Sequence, residues 1–467
     1  MLFSSLVFLF YFLPAVLITY YLSPRNGKNI VLLIFSLLFY AWSGTGLTLL
    51  LITSVTINFV IAKQINKQKQ AKKWLVIGII FNILLLVFFK YTGFLIDNVL
   101  GLFQAQNSGW FKVALPLGIS FYTFHQISML RDIYRDPQLP KVNYPRTLLY
   151  VVFFPQLVAG PIVRYKDIVY QLIERKETIQ QVALGIKRFI VGLFKKVIIA
   201  NTMAGIADAI MDSDQATFTT GAAWLGILAY TLQIYFDFSG YSDMAIGLSR
   251  MFGIRLLENF EFPYIATSIK DFWRRWHISL STWFRDYVYI PLGGNRVSKT
   301  RIYINLFIVF VLTGFWHGAS WSFIFWGVFH GVFLIIERLG FDKILERVPL
   351  IIRWAYTLFI VMIGWVFFRI EIFSDACSYI GHLFISQSEA VKTALYFLDN
   401  ERITILFLAI IMSVLPFNNW LKTTENTSGI GNQLTMLGRI TLLITAFLYC
   451  IMELTSSSYN PFIYFNF

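Results

Sequence analysis

The sequence predicts an all-α protein that crosses a membrane many times, and three observations carry that prediction. Of its 467 residues, 57% are hydrophobic and only 14% are charged, whereas soluble domains run at about 45–50% apolar and about 25% charged. Apolar runs recur near residues 3–22, 29–43, 46–62, 74–95, 113–130, 146–163, 182–203, 221–248, 302–319, 321–337, 350–369, 402–416 and 437–454. At roughly 20 residues per span there is room for about ten to twelve crossings. No polar stretch is long enough to make a soluble domain. Hydrocarbon offers no partner to an unpaired backbone group, so the apolar runs must be helices.

The elements follow in order. Run 3–22 lacks a basic leader and a small-residue cleavage site, so it reads as a retained span and not a removed signal peptide. The densest basic loop, Lys63 to Lys73, belongs in the cytoplasm by the positive-inside rule. Counting back through three spans puts the N-terminus outside, with Arg25 and Lys28 inside. Counting forward puts 96–112 outside and the Arg131–Arg146 loop inside, where Arg131, Arg135, Lys141 and Arg146 agree. Two spans are interrupted by Pro and Gly, at Leu115-Pro116-Leu117-Gly118 and at Phe154-Pro155 through Gly160-Pro161. Such breaks are tolerated where they line a cavity or are covered by other helices.

Three segments depart from plain spans. Segment 182–203 carries Lys187, Arg188, Lys195 and Lys196 at seven- to eight-residue spacing on one face, as in a helix at the interface or along a polar cavity. Segment 221–248 holds Gln233, Tyr235, Asp237, Ser239, Tyr241, Ser242 and Asp243, with Asp237 and Tyr241 on one face. A buried polar network between helices is the favoured reading there, a cavity lining for a polar acyl donor the alternative. Segment 264–296 is too charged to face lipid: Lys270, Asp271, Arg274, Arg275, His277, Arg285, Asp286 and Arg296 alternate with Trp273, Trp276, Trp283 and Tyr287. It is expected as a re-entrant or interfacial element, closing in the turn Pro291 to Arg296.

Two histidines stand out. An ionisable side chain at membrane depth is costly and marks a site by default, and imidazole titrates near neutrality, which suits proton transfer. His317 ends an apolar run between Trp316 and Gly318, with Gly314 one turn earlier. Small residues admit a ligand and indoles wall a pocket, so catalysis is favoured over a structural imidazole. For His277 the residues leave two readings open. Arg274 and Arg275 would hold it neutral, as a proton acceptor must be; an aromatic belt with arginine anchors would explain the same string without chemistry. His125, His330 and His382 complete the set. On one continuous helix His330 would lie over three turns from His317, which argues against a shared metal.

Other classes are disfavoured. The net charge of +14 comes from 39 Lys and Arg against 25 Asp and Glu scattered over short loops, which fits cytoplasmic loop bias and anionic lipid, not nucleic acid. Cys377 and Cys450 cannot build a metal motif or a disulfide framework and read as packing residues. No HExxH, phosphate-binding Gly loop or GxSxG is present.

Longer strings carry a family resemblance: Leu115 to Tyr122, Phe154 to Pro161, Tyr235 to Gly247, Phe272-Trp273-Arg274-Arg275-Trp276-His277-Ile278-Ser279 through Asp286, and Phe315-Trp316-His317-Gly318. The chain resembles the bacterial membrane-bound O-acyltransferases, and within them the alginate O-acetylase branch. The stretch Met129 to Arg135 after His125 departs from the expected pattern. The resemblance implies a single domain over 1–467, with its core roughly at 110–370. It implies a ring of about eleven spans plus re-entrant helices around a central tunnel, in a bacterial inner membrane. It also implies His317 as catalytic histidine and His277 as a second polar group of the site. Arg274, Arg275 and Trp316 are candidate donor contacts, and no metal is implied.

In that family acetyl passes from cytoplasmic acetyl-coenzyme A to an extracytoplasmic partner, often a periplasmic or membrane-anchored SGNH-type transferase. The partner then modifies an exopolysaccharide such as alginate, or peptidoglycan. His317 would take the proton of the attacking hydroxyl. His277 would polarise the thioester carbonyl or orient the acceptor. A D-alanyl transferase for teichoic acid and a non-catalytic exporter of an acyl donor are the alternatives.

Overall fold

A computed structural model of the chain describes residues 1–103, 114–385, 391–415, 430–457 and 459–463. Among these, the regular structure is helical, with one isolated bridge between Phe218 and Lys392. Packing divides the described residues into two compact units, those within 1–185 and 245–257, and those within 186–244 and 258–463.

The first unit begins with a π turn, Phe8–Phe12, running into α1 (Leu13–Leu22). It continues through α2 (Lys28–Ala41), α3 (Thr45–Asn66), α4 (Ala71–Leu86) and α5 (Thr92–Leu102), then α6 (Ile119–Arg135), α7 (Tyr144–Val152), α8 (Phe154–Leu157), α9 (Tyr165–Ile173) and the start of α10 (Ile179–Phe194). Within it α3, α4 and α6 share a buried polar core. Asn82 Nδ2 donates to Asn58 Oδ1 at 2.7 Å and Ser54 Oγ donates to Gln126 Oε1 at 2.9 Å. With no hydrophobic force between helices in lipid, such bonds and close packing hold spans together.

The two Pro/Gly breaks meet. Gly118 adopts φ +71°, and a Cβ there would lie 2.6 Å from the Leu157 carbonyl oxygen. Residues 119–130 are all buried, so these interruptions are covered by neighbouring helices.

The second unit takes in the end of α10, a π turn at Lys195–Ala200, α11 (Asn201–Met211) and most of α12 (Thr220–Met251). It continues with α13 (Ile269–Arg275), α14 (Ile278–Phe284), α15 (Lys299–His317), α16 (Trp321–Ile336), α17 (Asp342–Leu345), α18 (Leu350–Arg369), α19 (Phe373–His382), α20 (Asn400–Val414) and α21 (Ile430–Ser456). Six described helical stretches are long and apolar enough to cross a membrane: Thr45–Asn66, Ala71–Leu102, Lys299–His317, Trp321–Leu345, Leu350–Arg369 and Met436–Ser456. Large apolar side chains such as Leu49, Leu84, Leu312, Ile351 and Leu448 stand exposed on them, as on lipid-facing surfaces. The chain is a multi-pass membrane protein.

Three of the four bases on the 182–203 face pair with carboxylates of α12. Arg188 and Lys195 each reach Asp243 at 2.7 Å, and Lys196 reaches Asp237 at 2.7 Å with both side chains 2% exposed. The two helices approach backbone to backbone, since a Cβ on Gly192 would fall 2.6 Å from the Gly240 carbonyl oxygen. The acidic residues of 221–248 are therefore network partners, as favoured. Asp237 also accepts from the Ile463 amide at 2.9 Å, and Tyr241 stacks on Phe462 with centroids 4.6 Å apart.

Candidate active site

The charged stretch 264–296 holds two seven-residue helices, α13 and α14, the second running on into a π turn at Arg285–Tyr289, and each is too short to cross a bilayer. The start of α13 is tied down at every early amide. Ser268 Oγ accepts from Asp271 N at 3.0 Å, while the Glu337 carboxylate accepts from Ile269 N at 2.7 Å and Lys270 N at 3.0 Å. Those donors have no intrahelical partner, so the cap holds the helix to the end of α16. Its inner face packs Trp273 and Trp276 into an aromatic core with Trp326 and Trp365; the rings of Trp276 and Trp365 lie 4.8 Å apart.

His277 sits at the junction of the two helices with φ 43° and ψ 54°, a left-handed conformation that costs an L-residue of order 1 kcal/mol or more. Backbone bonds hold the junction. Glu261 N donates to the Arg275 carbonyl and Ile278 N to the Asn259 carbonyl, both at 2.9 Å. The imidazole is fully buried between the rings of Phe238, perpendicular to it with centroids 4.6 Å apart, and Phe260, nearly parallel at 6.4 Å. Its Nδ1 lies 3.0 Å from Asn259 Oδ1, which also accepts from Ser279 N at 3.2 Å and Ser279 Oγ at 2.8 Å. Asn259 Nδ2 in turn donates to Ser242 Oγ at 3.0 Å.

Burial pushes the His277 imidazole down to about 3, so it is neutral near pH 7. The expectation that Arg274 and Arg275 hold it neutral is corrected. Both guanidiniums turn to Asp271, at 2.5 Å and 3.0 Å. Burial raises that carboxyl, yet the two arginines outweigh it and hold it below the usual carboxylate range.

His317 is the last residue of α15, where the chain turns through Gly318 to Ser320, whose hydroxyl caps α16. The two helices form a hairpin in contact at Gly314 and Gly327, whose Cα atoms stand where a Cβ would clash. This overturns the continuous-helix premise for 302–337. His317 and His330 each lie 5.1 Å from the Trp326 ring, on a helix pair that folds back. Among the described residues no group of three His, Cys, Asp or Glu could hold a metal. His317 is 2% exposed and packed by Trp316 at 4.8 Å, Trp326 at 5.1 Å and Phe368 at 5.1 Å.

Trp316 joins the two histidines: its ring lies 6.3 Å from His277 and 4.8 Å from His317. Residues forty apart in sequence thus meet around one indole. Arg274 is 71% exposed and paired to Asp271, and Arg275 also donates to the Glu261 carbonyl. A cavity of about 550 Å³ instead opens at the start of α13 among Ser268, Lys270, Arg338 and Arg353, with Glu337, Asp342 and Glu346 also on its wall. His125, in the first unit, is bonded to Val163 N, and His382 to the Phe218 carbonyl. Asn259 and Glu337 escaped the sequence reading. Neither belongs to a motif, and only the fold shows what each binds.

The sequence profile of the membrane-bound O-acyltransferase family matches residues 34–373. The probable alginate O-acetylase AlgI of Pseudomonas putida is 42% identical over 489 aligned positions, covering 100% of both chains. The probable alginate O-acetylase AlgI of Pseudomonas aeruginosa is 47% identical over 378, covering 79% of this chain and 72% of its own. The peptidoglycan O-acetyltransferase of Helicobacter pylori is 36% identical over 534, covering 100% of this chain and 98% of its own. With a buried histidine pair set around Trp316 and a family match across most of its length, this chain is an acyltransferase belonging to the membrane-bound O-acyltransferase family.

Proposed function

We propose that the protein takes acetyl from cytoplasmic acetyl-coenzyme A and passes it across the inner membrane for O-acetylation of an extracytoplasmic polysaccharide. An alginate-like exopolysaccharide fits best, through an SGNH-type partner transferase. The observation that carries this is the pairing of buried His277 and His317 on Trp316, in a chain similar end to end to an alginate O-acetylase. About eleven spans ringing a central tunnel would house the site.

The chemistry is a single acyl exchange. The acceptor oxygen attacks the thioester carbonyl carbon as its proton passes to the neutral imidazole of His317. The carbon–sulfur bond then breaks, and the proton returns to the departing thiolate. A positioned base of this kind contributes about 10²–10⁴-fold. Lys299, Arg301, Arg338, Lys343, Arg347 and Arg353 gather where α15 and α18 begin and α16 ends, while Glu371 and Asp375 follow the far end of α18. The positive-inside rule assigns the first end to the cytoplasm. Donor phosphates would then meet Lys270, Arg338 and Arg353 in the cavity there, in place of Arg274 and Arg275.

Purified protein in vesicles, supplied with labelled acetyl-coenzyme A and an acceptor, tests the reading. Label should reach the acceptor with the wild type and not with His317→Ala. Uptake of donor without acyl transfer, or equal transfer by the variant, would replace it with an exporter. Label entering only from a D-alanyl carrier protein would change the donor.

A further inference from the structure

We infer that Asn259 is a positioning residue: it locks the His277 imidazole with its hydrogen on Nδ1, so that Nε2 serves the reaction as an acceptor of a hydrogen bond or proton and never as an oxyanion donor. The inference rests on the acyl-transfer reading for its catalytic meaning, but the tautomer itself stands on geometry.

An imidazole tautomer is set by what its other nitrogen must bind. The atom facing Nδ1 at 3.0 Å is Asn259 Oδ1. Its identity as oxygen is forced, because the same atom receives the backbone amide of Ser279 at 3.2 Å, and a peptide N–H can only donate. Turning the Asn259 amide over would set its NH₂ against that N–H. It would also turn its oxygen to Ser242 Oγ, which now receives Nδ2 at 3.0 Å. An amide oxygen only accepts, so Nδ1 must carry the hydrogen. The ring is neutral, and Nε2 then carries none.

Asn259 holds His277 from both sides of the chain. Its main-chain carbonyl takes the amide of Ile278 at 2.9 Å, and its side chain takes residues 277 and 279. That is how a non-glycine residue stays at φ 43°. Asn259, Ser242, His277 and Ser279 are each 2% exposed or less, so water does not compete for these bonds. The cluster joins two polar strings that looked unrelated along the chain, the Ser239 to Asp243 stretch and the Trp276 to Ser279 stretch. Of the two roles open to His277, polarising a thioester carbonyl needs an N–H at Nε2 and is excluded. Orienting the acceptor remains, with Nε2 accepting from a donor other than the hydroxyl that His317 deprotonates.

Nitrogen-15 NMR of histidine-labelled full-length protein in detergent reads the tautomer directly, with His277→Gln assigning the signals. The expected spectrum at neutral pH shows a protonated Nδ1 and a bare Nε2; a protonated Nε2 would overturn the inference. Asn259→Asp puts an anion of nearly identical shape against Nδ1–H. The tautomer should persist while the titration of His277 moves up by about one pH unit or more. An unmoved titration in a folded variant would make Asn259 merely structural and overturn its assignment. If the wild type transfers no acetyl group, the functional reading fails, and the NMR result still decides the tautomer.

Discussion

His277 and His317 lie against the same indole, in different surroundings. His277 is fixed by hydrogen bonds at a strained junction between two short helices, with one nitrogen committed to Asn259. His317 ends a long helix and is packed by the rings of Trp316, Trp326 and Phe368. Ring packing sets where an imidazole lies but not which nitrogen carries its proton. On the proposed reaction, the group that exchanges a proton is packed among aromatic rings, and the group that keeps one face constant is also hydrogen-bonded.

The largest effect of substitution should come from His317. His317→Ala should lower acyl transfer by about 10²–10⁴-fold while the protein still inserts and elutes as a single species; transfer within tenfold of wild type would remove it from the chemistry. Next comes Lys196→Met. It leaves Asp237 charged and buried, and should destabilise the fold by about 3–5 kcal/mol, seen as loss of detergent-soluble protein that Lys196→Met with Asp237→Asn partly restores.

A pH effect follows from His277. Its folded value lies near 3 against about 6.5 unfolded. Below about pH 6.5 the unfolded chain therefore binds a proton that the folded chain refuses. Stability is full above that pH and falls as pH drops toward the folded value, by up to roughly 1.4 kcal/mol per unit. Melting temperature in detergent should decline from about pH 6.5 downward, and His277→Gln should flatten that decline; an unchanged slope in the variant would assign it to other groups. The smallest effect belongs to Arg274→Ala, because the side chain is exposed and paired only along its own helix. Transfer and donor KM should stay within about twofold, as for most exposed ion pairs, and a larger rise in donor KM would restore it as a donor contact.

Much of this was legible in the chain. Apolar runs near 46–62, 302–319, 321–337 and 350–369 correspond to long helices because lipid demands internal hydrogen bonding. The charged 264–296 stretch announced itself as something other than a span for the same reason. The strings around His277 and His317 named the site, but nothing in forty residues of separation dictates that both rings meet Trp316. The arginines misled because guanidinium next to histidine in sequence is not guanidinium next to imidazole in space; one helical turn brings both to Asp271. Asn259 stayed hidden because an asparagine after a 32-residue helix has no periodicity to betray it. Its role exists only once 259–261 lies beside 275–278.

The central claim is that the two histidines work as one acyl-transfer site. Rates of labelled acetyl transfer by reconstituted wild type, His317→Ala, His277→Ala and the double variant test it most directly. Residues acting as a unit are strongly non-additive, so the double variant should be no slower than His317→Ala alone. Losses that multiply would place the two imidazoles in separate steps and contradict the account.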